Sequence, residues 1–280
     1  MKVKTLKVTT QPKDGETEPF ISQIINYDPE GRELANYQYS GPGIFESKNE
    51  TKYDSNGAVI EEITYQDEHE IAERKTYTRD QKGEIIRIDS TFTDGSVSIF
   101  TFERDPVKRT ENRIERDEDG ALESRELLQF DEEGRIIRRE LYNYRDKLTE
   151  AYTYEYNESG QLIHRRQLDQ RGKLVIDTTY QYTETGLLQL RANRNRKGHL
   201  SDFIKMEYDS NGRVILQNLS NKYFFEFEYD RNGNPIVEER YAGDELDNRT
   251  TFDYDEENRL LREEQPELIR EYHYEFYESQ

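Results

Sequence analysis

The chain has 280 residues, of which 36% are charged and 32% hydrophobic, with a net charge of -20 and no cysteine. This balance excludes disulfides and thiolate metal sites, disfavours binding to nucleic-acid phosphates, and favours a basic protein as partner. Twenty-one tyrosines and twelve phenylalanines nevertheless argue against disorder, and point to a thin aromatic core of the kind found where each strand offers one apolar and one solvated row.

The opening segment carries Lys2, Lys4 and Lys7 but no apolar run of signal-peptide or membrane-spanning length, so a cytoplasmic protein without membrane contact is expected. Residues 1–20 are expected to be a capping strand or tail. The first strong element is Tyr27-Asp28-Pro29-Glu30-Gly31, an aromatic residue followed by a turn-forming polar residue and, three positions later, Gly. The same pattern returns at Tyr53, Phe130, Tyr156, Tyr182, Tyr208, Tyr229 and, with Asn258 in place of Gly, at Tyr254. The steps are 26, 77, 26, 26, 26, 21 and 25 residues, and the long one is filled by degenerate copies at Asp80-Gln81-Lys82-Gly83 and Asp105-Pro106-Val107-Lys108. The leading Asp or Asn can hydrogen-bond the backbone ahead of it, and Gly accepts the positive φ that a tight hairpin needs. Asn-Gly at 56–57, 211–212 and 232–233 is a strong short hairpin signal.

A second turn series lies between the first. Gly31 to Gly43, Gly83 to Gly95, Gly160 to Gly172 and Gly186 to Gly198 are each twelve apart, and polar turn residues fill the offset elsewhere, as at Asp67-Glu68-His69, Arg145-Asp146-Lys147 and Ser220-Asn221-Lys222. Turns therefore alternate between two edges of a sheet, ten on one and nine on the other. Between them, rows such as Leu148, Tyr152, Tyr154, Tyr156 and Leu174, Ile176, Tyr180, Tyr182 share a face. After each Tyr turn, pairs such as Ile136-Ile137, Leu162-Ile163 and Val214-Ile215 leave the register open. The stretch from Glu111 to Arg125 is the weakest strand. The expected fold is a single all-β domain over 1–280: an antiparallel meander of about 20 short strands from 26-residue hairpin repeats, forming one curved or spiralled sheet, a partial shell or barrel-like. Clear repeats run over about 21–265, and 266–280 is expected to be a capping strand or tail.

The intact motif Tyr-Asp-x-x-Gly-Arg, at Tyr27 to Arg32 and Tyr208 to Arg213, resembles the YD repeat of the Rhs family, and the resemblance covers about residues 21 to 265. It implies a structural or enclosing role, because repeats of that family form a β-strip that spirals into a shell around a toxin polypeptide or a barrel-like unit in adhesion proteins. Nothing after Tyr254 matches the self-cleavage segment of Rhs toxins, so a toxin carrier is not expected.

No constellation for catalysis, cofactor or metal binding is expected. His69, His164, His199 and His273 are scattered, the Asp209-to-Gly212 turns lack the later Glu of a calcium loop, and adjacent carboxylates such as Glu61-Glu62 and Glu238-Glu239 fall on opposite faces of a strand. Tyr223, Phe225, Phe227 and Tyr229 would share one face, as core or as an aromatic recognition surface, and Arg191, Arg194, Arg196 and Lys197 form a basic cluster at a turn. These are the candidate partner-binding residues. The expected function is a non-catalytic repeat scaffold that binds or partly encloses another polypeptide. The alternatives are an immunity or antitoxin-type protein neutralising a basic toxin, and a glycan-binding surface protein. The free edges of the first and last strands would further allow self-association.

Overall fold

The computed structural model describes residues 2–278, which form 22 strands and, among the described residues, no helix. The first half comprises β1 (Val3–Pro12), β2 (Phe20–Tyr27), β3 (Glu33–Gly41), β4 (Ile44–Tyr53), β5 (Val59–Tyr65), β6 (Ile71–Arg79), β7 (Ile85–Phe92), β8 (Val97–Asp105), β9 (Thr110–Asp117), β10 (Leu122–Phe130) and β11 (Ile136–Tyr142). The second half comprises β12 (Leu148–Tyr156), β13 (Leu162–Asp169), β14 (Leu174–Tyr182), β15 (Leu188–Asn195), β16 (Leu200–Tyr208), β17 (Val214–Leu219), β18 (Tyr223–Tyr229), β19 (Pro235–Ala242), β20 (Glu245–Tyr254), β21 (Leu260–Glu264) and β22 (Leu268–Phe276). Every strand pairs antiparallel with its sequence neighbours, and β1 pairs antiparallel with β22 from Val3↔Phe276 to Pro12↔Leu268. The meander therefore closes into a barrel.

The count exceeds twenty because both end segments are strands of the wall. Turns at 13–19 and 265–267 add to the second rim, giving ten turns on one rim and eleven on the other. The weak stretch from Glu111 is also sheet, split between β9 and β10. Across the seam, Lys7 pairs with Glu275 at 2.6 Å, and the Tyr277 hydroxyl reaches over β1 to the Tyr27 carbonyl at 2.6 Å. The two edges that would have permitted self-association are bonded to each other.

Each part of the Tyr-Asp-x-x-Gly-Arg motif has a separate task. In the Asp209 turn, Asp209 Oδ1 accepts the N–H groups of Asn211 and Arg213, Gly212 N–H donates to the Asp209 carbonyl, and the guanidinium of Arg213 grips Oδ2 at 2.7 Å. Gly212 sits at φ +79 while Asn211 keeps a negative φ, so this is a three-residue loop, a type I turn closed by a left-handed Gly. A turn with both central residues left-handed occurs at Ser220 and Asn221, at φ +58 and +57, and it accompanies the shortened 21-residue step. The turn Arg then lies over the next aromatic: Arg32 on Tyr53 and Arg135 on Tyr156 at 4.8 Å, Arg213 on Tyr229 at 4.7 Å.

The tyrosine hydroxyl completes the link by donating to the carbonyl of the residue that opens the neighbouring strand. Tyr53 donates to Glu33, Tyr156 to Ile136, Tyr182 to Leu162, Tyr208 to Leu188 and Tyr229 to Val214, at 2.6 to 2.9 Å. In the degenerate copies Arg79 and Arg104 do the same with a guanidinium, to Val59 and Ile85. Replacing Tyr156 with Phe should therefore cost about 1 to 2 kcal/mol, because it strands the Ile136 carbonyl while keeping the ring. Tyr144→Phe, at an exposed position, should cost nothing measurable; denaturant titration of both variants checks the difference.

The apolar pairs after the turns are explained by β-bulges. Tyr156 pairs with Leu162 and Glu155 with His164, leaving Ile163 unpaired; the same shift isolates Ile60, Ile86, Ile137 and Ile215. Similar bulges follow the opposite turns, for example between Leu174 and Ile176, and interrupt the row that simple alternation draws through both. Bulges at almost every hairpin add local twist, which lets so wide a sheet close.

Candidate functional site: the barrel lumen

Cross-strand partners point to the same side of a sheet, so the register carries one face around the barrel. That face bears Val8, Gln23, Gln38, Thr64, Lys75, Ser90, Phe100, Glu126, Arg139, Tyr152, Arg165, Thr178, Arg191, Phe225 and Tyr272. It is the concave one. A cavity of about 400 Å³ on this face draws Val8, Thr10, Gln23, Gln38, Arg270 and Tyr272 from strands on both sides of the seam. Tyr77 and Tyr272, on the same face, are held far above the ordinary phenol range by burial first, and then by donating to Glu62 and Glu263.

The lumen is wide. Twenty-two strands about 4.8 Å apart make a circular section about 34 Å across before tilt widens it, and side chains reaching about 5 Å inward leave roughly 24 Å, enough for a helix. Among the described residues no Cα atoms of strands that are not paired neighbours come within 8 Å of each other. The accessible surface, 17868 Å², far exceeds the roughly 12,700 Å² of a compact monomer of this mass, as a wall wetted on both sides requires.

Both faces carry charge. The inner face holds Arg113 and Arg139 with Glu126, and Arg270 with Glu263; the outer face holds Lys48 with Glu50, Arg138 with Glu140, and Arg166 with Glu155.

The residues singled out from sequence are distributed by the register. Tyr223, Phe225 and Phe227 share the inner face of β18, with Arg240 and Glu238 opposite Phe225 and Phe227; Tyr229 continues the row but is committed to Val214 and Arg213. The arginine cluster is split. Arg191 faces the lumen opposite Tyr180 and Ile204, Arg194 is on the outer face opposite Asp177, and Arg196 is in an exposed turn. His164 is on the outer face with Nδ1 3.1 Å from Asp177. The Asp carboxylates of the turns are occupied by backbone N–H groups. Missed at the sequence level were Arg113, Arg139 and Arg165, which with Arg191 recur every 26 residues and line one lumenal strip; their spacing was the available signal.

No family model and no curated protein matches the sequence. Among solved structures, TcdB2-TccC3 without its hypervariable C-terminal region shares 11% identity at a TM-score of 0.44, over 87% of this chain and 15% of that one. A porin-like protein from Bacteroides uniformis shares 9% identity at a TM-score of 0.36, over 98% of both chains. The chain thus spans a small part of the length of the first neighbour.

Proposed function

We propose that this protein is a non-catalytic scaffold of the YD-repeat type whose barrel binds and encloses part of another polypeptide in an aqueous compartment. The observation that carries this reading is the closed single-layer wall around a wide lumen lined by Tyr, Phe, Asn, Gln and paired charges, a surface that suits a peptide chain better than lipid. Acidic turns at the rim, such as Asp131-Glu132-Glu133 and Asp255-Glu256-Glu257, favour approach by a basic segment. Affinity purification from the native host, followed by mass spectrometry, should recover a polypeptide in near-stoichiometric amount, with part of it protected from protease and its capture weakened by salt. Recovery of no polypeptide, together with a positive glycan array, would overturn the proposal.

A further inference from the structure

The lumenal strip contains a cationic group that the protein itself does not balance. Arg113, Arg139, Arg165 and Arg191 occupy equivalent positions on β9, β11, β13 and β15. Glu126 serves the first two, at 3.2 Å to Arg113 and in a short contact with Arg139. Arg165 stands opposite Tyr154 on one side and Thr178 on the other, and its guanidinium lies 5.9 Å from the centre of the Tyr152 ring, with that of Arg139 at 5.8 Å from the same ring. Among the described residues Arg165 has no ion-pair or hydrogen-bond partner, and its Nε is buried and unsatisfied. Arg191 is little better served, with Asp202 3.7 Å away and Nε also buried without a partner.

The nearby carboxylates are engaged elsewhere. Glu150 accepts from Tyr152 at 2.6 Å and Gln167 at 3.2 Å, and Asp202 accepts from Asn193 at 2.8 Å. The hydroxyls of Tyr154 and Tyr180, opposite Arg165 and Arg191 respectively, donate to nothing among the described residues. A half-buried guanidinium framed by aromatic rings is costly without a counter-charge, and in a chain carrying -20 the want of one here is notable. Two guanidinium forks on alternate strands, each paired in register with a tyrosine, supply the kind of donors that a planar or tetrahedral oxyanion accepts.

We propose that Arg165 and Arg191, with the hydroxyls of Tyr154 and Tyr180, form an oxyanion site in the lumen that takes a carboxylate or phosphate group of the enclosed molecule. The inference rests on the enclosing role only for what brings the oxyanion, and a small-anion titration tests the site separately. In protein labelled at arginine Nε, the Arg165 and Arg191 Nε–H resonances should shift saturably with glutarate or with inorganic phosphate at constant ionic strength, while exposed Arg171 follows bulk salt only. The tighter of the two probes identifies the group. Arg165→Gln should weaken the remaining Arg191 response about tenfold or more, and Arg165→Lys by less. If Arg165→Gln fails to fold, Arg191→Gln read at Arg165 serves the same purpose. Absence of a saturable shift in the unaltered protein, or equal affinity in the Gln variant, overturns the site, whether or not a polypeptide co-purifies.

Discussion

Removing residues 265–280 should abolish the monomeric barrel: the shortened chain is expected to elute as oligomers or aggregate, with a melting temperature lowered by more than about 10 °C. The reason lies in the seam. Strand β22 supplies β1 with nine residue pairs, and it also pairs with β21. Its loss exposes the backbone of a ten-residue strand on one side and of β21 on the other, in a protein with no second layer to cover either. The Tyr274 hydroxyl on the Leu260 carbonyl and the Lys7–Glu275 and Lys13–Glu264 pairs go or loosen with it. Size-exclusion chromatography with light scattering measures the outcome; a truncated chain that remains monomeric with unchanged melting would show that closure is incidental.

The second large effect expected is acid instability set by the turns. Asp54 and Asp209 are held below the ordinary carboxylate range chiefly by the backbone N–H groups of Ala58 and Arg213. At Asp28, Asp131 and Asp255 desolvation is the largest single influence and pushes upward, but the N–H groups and guanidinium of the turn Arg outweigh it and the net direction is again down. A carboxylate whose folded pKa lies below its unfolded value near 3.9 stabilises the fold above that value, and the contribution is lost as pH falls through the folded pKa. Melting temperature should therefore hold from neutrality to about pH 5 and drop cooperatively below about pH 4, as several turns protonate together. Asp54→Asn with Asp209→Asn should fold and show a shallower acid limb, since Asn157 already fills this position and accepts the Gln161 N–H at 2.9 Å. An unchanged acid limb in that double variant would place the sensitivity elsewhere. At the alkaline end the sign reverses: the raised pKa values of Tyr77 and Tyr272 give stability that is present below the unfolded phenol value and lost as pH rises through the folded ones.

The turn chemistry was legible residue by residue. Asp28, Gly31 and Arg32 act within a few positions of one another, and interactions of that range leave a spacing that survives even where Arg79 replaces the tyrosine. The hairpin at Asn56-Gly57 forms where the sequence places it, but composition alone does not distinguish a turn with two left-handed residues from one with a single left-handed Gly after a type I pair; the length of the loop decides, and that depends on which residues across it pair.

By itself the sequence determined the strands, their alternation of edges and the period that makes one unit much like the next, because hairpins are closed by neighbours along the chain. Only the tertiary structure decided that β1 meets β22, which face turns inward, and that Arg113, Arg139, Arg165 and Arg191 line a common lumen. The physical reason is accumulation: each bulge shifts the register by one residue and adds a small twist, and whether such increments summed over the whole sheet bring the two ends together is a property of the sum, which no single repeat contains.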